Sequence, residues 1–548
     1  MLPNRMAPEE RPIPPMPPAY WRGRRLQRGQ RWQQAIDAYR AALPSPDDAE
    51  VQFRIGYACE KQGDLPAART AYAEAVRDAA QALPIRQYRL GFVADALREW
   101  EGAAAAYSAA IEAGGTVPNW FYRLGRVLER LERWREAGEA YAQAIRRGGD
   151  RPAWRSRLFR TCCMTGDWRG VSAYYRRDEA VPADVSALLE AAAPELTPER
   201  VAAALAAGEK AGVLPAEWWQ SAYVRLFNLG RLHEAYAAKR LAVTRARQRA
   251  ERGLEDSVRH RLDAAASCID QADYGAALEL LRPLAGGVDA AAEEAREMAA
   301  GACLMQGDIA GASALWRFTE ADRPFRRLIE GKRIAIVGAA NSGLEAGAEI
   351  DAADIVIRTN FLNPDSVAER AALTGARTDI SYYNFAFEEK NRARILAVLR
   401  ENPLKAVVLH QAGYGQASTA YAGLLPVRRN YLFRGLYGFT AYAIPRILYD
   451  VLRYRPAEVR LYNSDFFLGK DIHYQGYLKP GDYPDHDPEF VFMMSYHDIL
   501  RNFLFTRRLR DLGLCSGDSV CTAVLALSPE EFLHRMTVRV GALKPDSA

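Results

Sequence analysis

Small and aromatic residues recur with a period close to 34 between residues 19 and 150. Each unit has a glycine, an alanine twelve residues later, a tyrosine four residues after that and a second alanine three residues further on. The four sets are Gly23, Ala35, Tyr39 and Ala42; Gly56, Ala68, Tyr72 and Ala75; Gly91, Ala103, Tyr107 and Ala110; and Gly125, Ala137, Tyr141 and Ala144. A period of this length is typical of a helix–turn–helix unit, which buries its apolar faces only by stacking on its neighbours. The pattern therefore predicts an α-solenoid.

This pattern resembles the tetratricopeptide (TPR) repeat. Weaker helix–turn–helix signals follow it along the chain. They are Gly166-Asp167-Trp168, Leu229-Gly230-Arg231, Asp273-Tyr274-Gly275 and Gln306-Gly307-Asp308. We therefore expect one TPR-like α-solenoid over residues 19–320, regular at first and irregular later. The concave side of a solenoid is a natural peptide groove, which predicts a protein partner; a spacer or a dimerisation device is the alternative.

At 548 residues the chain is long enough for two or three domains, and a hydrophobic content of 49% is ample for packed cores. The formal net charge of +5, from 73 basic and 68 acidic residues, argues against nucleic acid as the main partner. Seven scattered cysteines without a CxxC pair fit a reducing compartment. Residues 1–18 are rich in proline and have no apolar signal segment, so we expect a disordered leader. No apolar run approaches the roughly 18 residues that a membrane span needs. We expect a soluble, cytoplasmic protein.

The sequence texture changes after a junction at residues 321–331, which contains Pro324 and Gly331. Short β-branched runs now alternate with helical stretches. The runs are residues 334–337, 355–357, 406–409 and 459–462, and the helical stretches include 388–400 and 442–453. This alternation predicts an α/β domain over residues 332–548 with a largely parallel sheet, whose ligand would lie at the C-terminal ends of the strands.

The turn after the first run reads Gly338-Ala339-Ala340-Asn341-Ser342-Gly343. Its backbone N–H groups can approach a phosphate, and an asparagine amide can bind a nucleotide. The turn lacks GxGxxG and lacks the Lys-Ser/Thr of a P-loop, which disfavours a dinucleotide or ATP. No Asp-x-Asp, the usual metal–diphosphate element of many glycosyltransferases, directly follows any of the four apolar runs. A monophosphate donor without a metal fits better.

Four stretches occur in an order that resembles the motifs of the sialyltransferases. Residues 334–360, IAIVGAANSG followed by EIDAADIVIRTN, resemble the large sialyl motif. The other three are Gly438-Phe439-Thr440 with Val459-Arg460-Leu461-Tyr462 (small motif), His473-Tyr474 (third motif), and Tyr496-His497-Asp498 with Asn502 (very small motif). The resemblance implies a variant GT-A, α/β fold, so the whole chain would be an α + α/β multidomain protein with a TPR-like α-solenoid before a sialyltransferase-type domain. It also implies metal-independent, inverting transfer from a CMP-linked sugar.

The resemblance also implies roles for individual residues. Asn341 and Asn360 would contact the cytidine nucleotide, Ser342 and Gly343 would help to form its pocket, and Gly438 would lie against it. His473, with Tyr474 beside it, would meet the leaving phosphate, and His497 would be the base. Independent chemistry agrees, because an acceptor hydroxyl needs proton removal and histidine titrates in the useful range. His410, after an apolar run, is a further candidate to line the cleft.

The sequence departs from the family pattern at several places. Asn502 stands where the family has glutamate, Ala339 and Ala340 lengthen the turn, and Leu436 and Tyr437 replace two serines. The donor can therefore be another CMP-activated 2-keto acid, such as Kdo or a pseudaminic or legionaminic acid, rather than sialic acid. The carboxylate of such a sugar needs a cation or a helix N-terminus. The candidate cations are Arg358, Arg434 and Lys470.

The combined interpretation is a glycosyltransferase that moves a nonulosonic-acid-type sugar from CMP to a hydroxyl group of a protein acceptor held by the solenoid. The domain order resembles the modular bacterial flagellin glycosyltransferases, which makes flagellin a candidate acceptor. Two alternatives stay open. One is a capsule or lipopolysaccharide glycosyltransferase with a glycan acceptor, and the other is a non-catalytic TPR adaptor.

Overall fold

The computed structural model describes residues 15–45, 47–77, 83–148, 151–169, 183–191, 193–211, 214, 216–253, 257–410, 414–429, 441–471, 473–477, 494–495 and 497–542. The predicted leader therefore lies mostly outside the described residues, and the first helix begins at Pro18. The chain forms two compact units, Met1–Gly170 and Val171–Ala548. The solenoid expected over 19–320 spans both units. Among the described residues, no helix is both long enough and apolar enough to cross a bilayer.

Consecutive helices of the first unit pack against each other, as the repeat pattern predicts. The described helices of this unit are α1 (Pro18–Arg28), α2 (Trp32–Arg40), α3 (Asp48–Gln62), α4 (Leu65–Ala75), α5 (Pro84–Ala96), α6 (Trp100–Glu112), α7 (Pro118–Arg130), α8 (Trp134–Arg146) and α9 (Pro152–Thr165). The turn between α3 and α4 shows how a repeat reverses direction. Gly63 ends α3 at φ +87°, and Asp64 caps α4 by accepting a hydrogen bond from the Ala67 amide at 3.1 Å.

The periodic glycines and tyrosines meet inside each repeat. A Cβ added to Gly56 would lie 2.6 Å from Cδ1 of Tyr72, and one added to Gly91 would lie 2.8 Å from Cδ1 of Tyr107. Both tyrosine rings are fully buried. A side chain at either glycine would push the two helices apart, so the glycine sets how closely they pack.

Neighbouring repeats are joined by charged and aromatic contacts. Glu60 accepts hydrogen bonds from the Tyr72 hydroxyl at 2.8 Å and from Arg89 of the next repeat at 2.9 Å. The equivalent pairs further along are Arg123 with Asp95 and Arg157 with Glu129. Tyr88 stacks on Trp120 at 4.7 Å, and Tyr122 stacks on Trp154 at 5.0 Å. The 34-residue period therefore continues through the interfaces between repeats.

The second unit combines more helices with a sheet. Its helices before the sheet are α10 (Ala183–Glu190), α11 (Pro198–Ala211), α12 (Ala216–Asn228), α13 (Leu232–Arg252), α14 (Val258–Asp270), α15 (Tyr274–Ala285), α16 (Ala290–Gln306), α17 (Ile309–Leu315) and α18 (Arg323–Ile329). The pairs α12–α13, α14–α15 and α16–α17 pack together. They reverse at the turns around Gly230, Asp273 and Gly307 that the sequence predicts.

A seven-stranded sheet follows within the described residues, with every strand pair parallel. Its strands are β1 (Arg333–Val337), β2 (Ile355–Thr359), β3 (Ile380–Tyr383), β4 (Ala406–Leu409), β5 (Val427–Arg429), β6 (Glu458–Tyr462) and β7 (Ser516–Gly517). The helices along it are α19 (Gly347–Asp351), α20 (Pro364–Glu369), α21 (Ala371–Thr374), α22 (Phe385–Glu401), α23 (Tyr414–Tyr421), α24 (Ala443–Leu452), α25 (Ile499–Asp511), α26 (Ser519–Leu525) and α27 (Pro529–Ala542). The four predicted strands and the two predicted helices are confirmed, as is the parallel α/β fold class of this region. The strand order is β5-β4-β3-β2-β1-β6-β7.

Buried polar contacts tie the helices of the second unit to its sheet. Arg428 on β5 lies between Asp322, at 3.1 Å, and Asp450 on α24, at 2.5 and 2.8 Å. Arg453 donates to Glu297 on α16 at 2.7 and 2.8 Å. Removing one partner of such a buried pair leaves an uncompensated charge. These contacts therefore hold the helices and the sheet of the second unit in one arrangement.

We predict that Gly91→Ala destabilises the first unit by about 1 to 3 kcal/mol, because the added methyl group overlaps the Tyr107 ring. Gly102→Ala is the matched control. Gly102 lies on α6 with nothing within 4 Å of its added Cβ, so alanine there should be neutral or stabilise the helix by about 0.5 to 1 kcal/mol. Urea unfolding followed by circular dichroism measures both. A Gly91→Ala midpoint equal to that of wild type contradicts the packing argument.

Candidate functional site

The strand order reverses direction at β1, which lies between β2 and β6. In open parallel sheets, ligands bind in the crevice outside the carboxyl ends of the strands at such a reversal. The Gly338 amide, directly after β1, donates to the Tyr462 carbonyl at 2.8 Å. A Cβ at Gly338 would lie 2.3 Å from the Asn463 carbonyl oxygen. Glycine is therefore required for the chain to leave β1 across the end of β6.

Polar residues directly follow most of the other strands at this edge. Asn360 follows β2, Asn384 follows β3, His410 follows β4 and Asn463 follows β6. Because parallel strands point the same way, all four residues lie at one edge of the sheet. Only Asn360 and His410 are predicted site residues. The repeated asparagine after an apolar run was a usable signal for the other two.

The turn after β1 is fastened to the end of β6. The Ser342 hydroxyl donates a hydrogen bond to Oδ1 of Asn463. Ser342 is half-buried, whereas Asn341 and Gly343 are exposed, and Gly343 has φ +71°. The turn thus presents exposed backbone and one exposed asparagine side chain after β1; nucleotide binding by this turn stays a prediction.

The turn also contacts the segment that carries the His473-Tyr474 motif. The Tyr474 amide donates to the Ala339 carbonyl at 2.8 Å. Asn341 donates to Asp471 at 3.1 Å and accepts from Arg370 at 2.9 Å, and Arg370 lies 4.9 Å above the ring of Tyr474. Both ends of the Asn341 amide therefore have protein partners, and a nucleotide bound by this side chain would exchange with one of them.

Asn360 has a strained backbone and is almost completely buried. Its φ is +50°, in the left-handed region, and its exposed fraction is 6%. Its Oδ1 accepts from the Asn384 amide at 3.0 Å, and Oδ1 of Asn384 accepts from Arg446 at 2.5 Å. Nδ2 of Asn360 has no partner among the described residues, which leaves an amide donor at the edge of the sheet.

His473 lies over the end of β2. Its ring stacks on Tyr477 at 5.0 Å, and the Tyr477 hydroxyl contacts Oγ1 of Thr359 at 2.6 Å and donates to the Thr359 carbonyl at 3.0 Å. Burial lowers the pKa of His473 to about 4. Its imidazole is therefore neutral near pH 7, where one ring nitrogen still donates a hydrogen bond.

His497 is held in place by an aromatic stack and by Asn502. Its half-buried ring stacks on Tyr442 at 4.7 Å. Nδ2 of Asn502 donates to the His497 carbonyl and to the Asp498 carbonyl, and Oδ1 of Asn502 accepts from the Tyr442 amide at 2.9 Å. Asn502 thus connects the two partners of the stack.

His410 belongs to the same edge as His497. Burial is the largest cause that lowers the pKa of His410, to about 4, and the charges of Arg446 and His497 add to it. Arg446 also donates to Asn384, whose amide donates to Asn360, so one buried cation links the ends of β2 and β3 and acts electrostatically on His410 after β4. The structure therefore brings Asn360, His410 and His497 into one neighbourhood.

Strained backbone is concentrated at this edge. Within the described part of the second unit, the non-glycine residues with positive φ are Ala272, Asn360, Arg455, Asn463, Phe466, Phe467 and Asp498. Five of them follow β2 or β6 or adjoin His497. Each such residue costs about 1 to 3 kcal/mol and persists only where neighbouring contacts impose it, which occurs preferentially at functional sites.

The remaining predicted residues have different outcomes. Gly438 and Arg434 lie outside the described residues. Arg358 donates to the carbonyls of Thr374 at 2.5 Å, Gly375 at 2.8 Å and Arg377 at 3.2 Å, and to Oγ1 of Thr378 at 3.0 Å. Arg358 therefore braces the loop before β3, and this geometry gives no support to a role in binding a sugar carboxylate. No group of three or more His, Cys, Asp or Glu side chains that could hold a metal occurs in the part of the chain that the structure describes.

A family model for the tetratricopeptide repeat matches residues 20–83 and 88–152. TPR repeats thus occupy the N-terminal region, where they support a role in protein interaction. The match covers less than half of the chain and does not extend to the sheet. None of the curated proteins compared with the chain matches it significantly.

Several solved structures resemble part of the chain. MamA from Desulfovibrio magneticus is 18% identical, with 29% of this chain and 93% of that chain covered and a TM-score of 0.26. YrrB, described as a TPR protein with an unusual peptide-binding site, is 17% identical, with 39% and 91% covered and a TM-score of 0.26. A tetratricopeptide repeat protein from Parabacteroides merdae is 11% identical, with 51% and 96% covered and a TM-score of 0.25. At these values the likeness carries no argument about function.

We predict that His410→Gln makes the protein less sensitive to acid. The pKa of His410 in the folded state lies below its usual value near 6.5, so the unfolded chain binds a proton first and stability falls as the pH drops through 6.5 toward 4. Glutamine does not bind this proton, so the variant lacks this loss of folding free energy, which is at most about 2 kcal/mol between pH 7 and pH 5. Thermal midpoints at both pH values measure it, with exposed His534→Gln as control. If the midpoint falls between pH 7 and pH 5 by as much in His410→Gln as in wild type, the burial argument is contradicted.

Proposed function

We propose that the protein is a metal-independent, inverting glycosyltransferase that moves a nonulosonic-acid-type sugar from a CMP donor to a hydroxyl group of a protein acceptor. The observation that carries this proposal is the meeting of distant motif segments. The turn after β1 hydrogen-bonds to Asn463, directly after β6, and to the backbone of Tyr474. Segments that resemble three separate sialyl motifs therefore adjoin one crevice.

The donor site lies at the carboxyl ends of β1 and β2. The Gly338 and Ala340 amides already donate to the carbonyls at the end of β6, so the backbone N–H groups at residues 341–343 are the ones that can bind the phosphate. Nδ2 of Asn360 supplies a donor for the cytidine moiety. Asn341 exchanges its contact with Asp471 or Arg370 for a nucleotide contact. Ser342 and Gly343 shape this turn.

The leaving phosphate is met by His473 and Tyr474. The His473 imidazole is neutral in the free protein, because burial lowers its pKa to about 4. A neutral imidazole can donate a hydrogen bond to the phosphate oxygen that gains charge as its bond to the sugar breaks. Such a preorganised donor acts in proportion to the charge that develops in the transition state.

His497 acts as the base in the transfer. Its ring accepts the proton from the acceptor hydroxyl, the hydroxyl oxygen forms a bond to the anomeric carbon, and the bond from that carbon to the phosphate oxygen breaks. CMP leaves with the electron pair. The stack on Tyr442 and the contacts of Asn502 fix the ring before substrate binds.

The TPR repeats recruit the acceptor. A stack of helical repeats presents an extended surface to a polypeptide, and TPR repeats support a protein-interaction role. Flagellin is the first acceptor to test, on the basis of the domain order. A glycan acceptor and a non-catalytic adaptor remain outcomes of the experiments below.

We predict that the purified full chain releases CMP from at least one of CMP-sialic acid, CMP-pseudaminic acid, CMP-legionaminic acid and CMP-Kdo. His497→Ala should lower the rate by about 10²- to 10⁴-fold, the usual contribution of a general base. His534→Ala, at an exposed position on α27, should leave the rate unchanged. Release from none of the four donors supports the adaptor alternative and overturns the proposal.

We predict that removing residues 1–170 abolishes transfer to a protein acceptor while CMP release by hydrolysis continues. The two compact units divide at this point, so the deletion removes no residue of the second unit. Continued hydrolysis shows that the shortened protein is folded. Transfer to protein at the wild-type rate would contradict recruitment by the repeats, and transfer to a glycan alone would support the other enzymatic alternative.

A further inference from the structure

A buried ion network joins helices α13 and α14 to the segment that carries His497. Lys239 on α13 donates to Asp498 and, at 3.2 Å, to Asp270 at the end of α14. Lys239 is 5% exposed and Asp498 is fully buried. Burial by itself lowers the pKa of Lys239, but the two carboxylates outweigh it and hold that pKa above its usual value. The lysine is therefore charged and shared between two acids.

Two tyrosines from the helical region reach the same segment. The Tyr236 hydroxyl, on α13, donates to Oδ1 of Asp498 at 2.9 Å and accepts from the Leu500 amide at 3.0 Å. The Tyr223 hydroxyl, on α12, donates to the Ser495 carbonyl at 3.0 Å. Both tyrosines are buried, so their hydroxyl groups need these partners. Residues before and after His497 are thus held by the helices.

Asp498 is the point at which these contacts act on His497. It directly follows the histidine, has φ +50° and caps α25 by accepting from the Arg501 amide at 3.2 Å. A non-glycine residue in this conformation costs free energy and stays there only when its neighbours over-determine it. Tyr236 and Lys239 impose this conformation, because each of them binds one of the two carboxylate oxygens of Asp498. The backbone direction at His497 therefore depends on the helical region.

We propose that Lys239 is a positioning residue for His497, so that helices α12 to α14 belong to the catalytic machinery rather than to the acceptor-binding arm. The inference rests on the function proposed above. Without Lys239, Asp270 would still have Arg501 at 3.7 Å, but Asp498 would be a buried carboxylate with no cation beside it among the described residues, and the segment around it would rearrange to reach water. The donor turn at residues 338–343 makes none of these contacts. Loss of Lys239 should therefore slow the chemical step without weakening donor binding.

The test compares Lys239→Met with Arg453→Met in the full chain. Arg453 is also a buried cation on a carboxylate, Glu297, but it makes no described contact with the His497 segment. The assay measures CMP release from the CMP-sugar that wild type cleaves fastest, at a temperature below every variant's unfolding midpoint. We expect Lys239→Met to lower kcat at least 10-fold with KM for the donor unchanged within twofold. Arg453→Met should lose thermal stability but keep its kcat.

A milder variant covers the case in which Lys239→Met does not fold. Tyr236→Phe removes only the hydroxyl group between Asp498 and Leu500, and should lower kcat about 3- to 10-fold with an unchanged KM. Unchanged kcat in every folded Lys239 or Tyr236 variant overturns the inference while the proposed function stands. Equal losses of kcat in Lys239→Met and Arg453→Met also overturn it, because they indicate general destabilisation. If the wild-type protein releases no CMP, both the proposed function and this inference are overturned.

Discussion

The second unit depends on the contact between Gly338 and the carbonyl of Asn463. A methyl group at Gly338 would lie 2.3 Å from that oxygen, so the ends of β1 and β6 approach as closely as two backbones can. This approach occurs where the strand order reverses, and it places the turn at residues 339–343 over the crevice. Ser342 then reaches Asn463, and Ala339 reaches Tyr474. The contacts between these distant segments therefore all lie next to the close approach of the chain after β1 to the chain after β6.

The two units use different physical means to set their geometry. In the first, Gly56 and Tyr72 pack within one repeat, and Arg89 extends to the acid of the preceding repeat, so each contact spans fewer than 40 residues. In the second, Lys239 contacts Asp498 and Arg453 contacts Glu297 across distances of more than 150 residues. Contacts between residues close in sequence can be repeated from one helical repeat to the next. Charged contacts between residues far apart in sequence instead fix one arrangement of strands and helices.

Periodicity predicted those parts of the fold whose contacts are local. The helix pairs, the turn at Gly307 and the strand Ala406–Leu409 agree with the pattern because backbone conformation and burial repeat along the chain. The strand Ile380–Tyr383 was missed because its apolar run is interrupted by Ser381, and β7 was missed because it has only two residues. The break between the two compact units has no signal in the repeat, since helices continue on both sides.

The candidate site was predicted only where a motif is continuous in sequence. Asn360 and the turn around Ser342 belong to such a stretch and directly follow β2 and β1, while their role in binding stays a prediction. Arg446 and Lys239 make their contacts with partners that folding brings from elsewhere in the chain, so no spacing in the sequence marks them. The pKa of His473 likewise depends on burial, which a motif does not encode.

The most direct measurement of the central claim is a crystal structure of the full chain after soaking with CMP, with UDP and GDP as competitors in parallel crystals. The account predicts CMP density between the turn at residues 338–343 and Asn360, with the phosphate on the side of His473 and no density for UDP or GDP. Nucleotide bound elsewhere, or a preference for UDP or GDP at this crevice, would contradict the account.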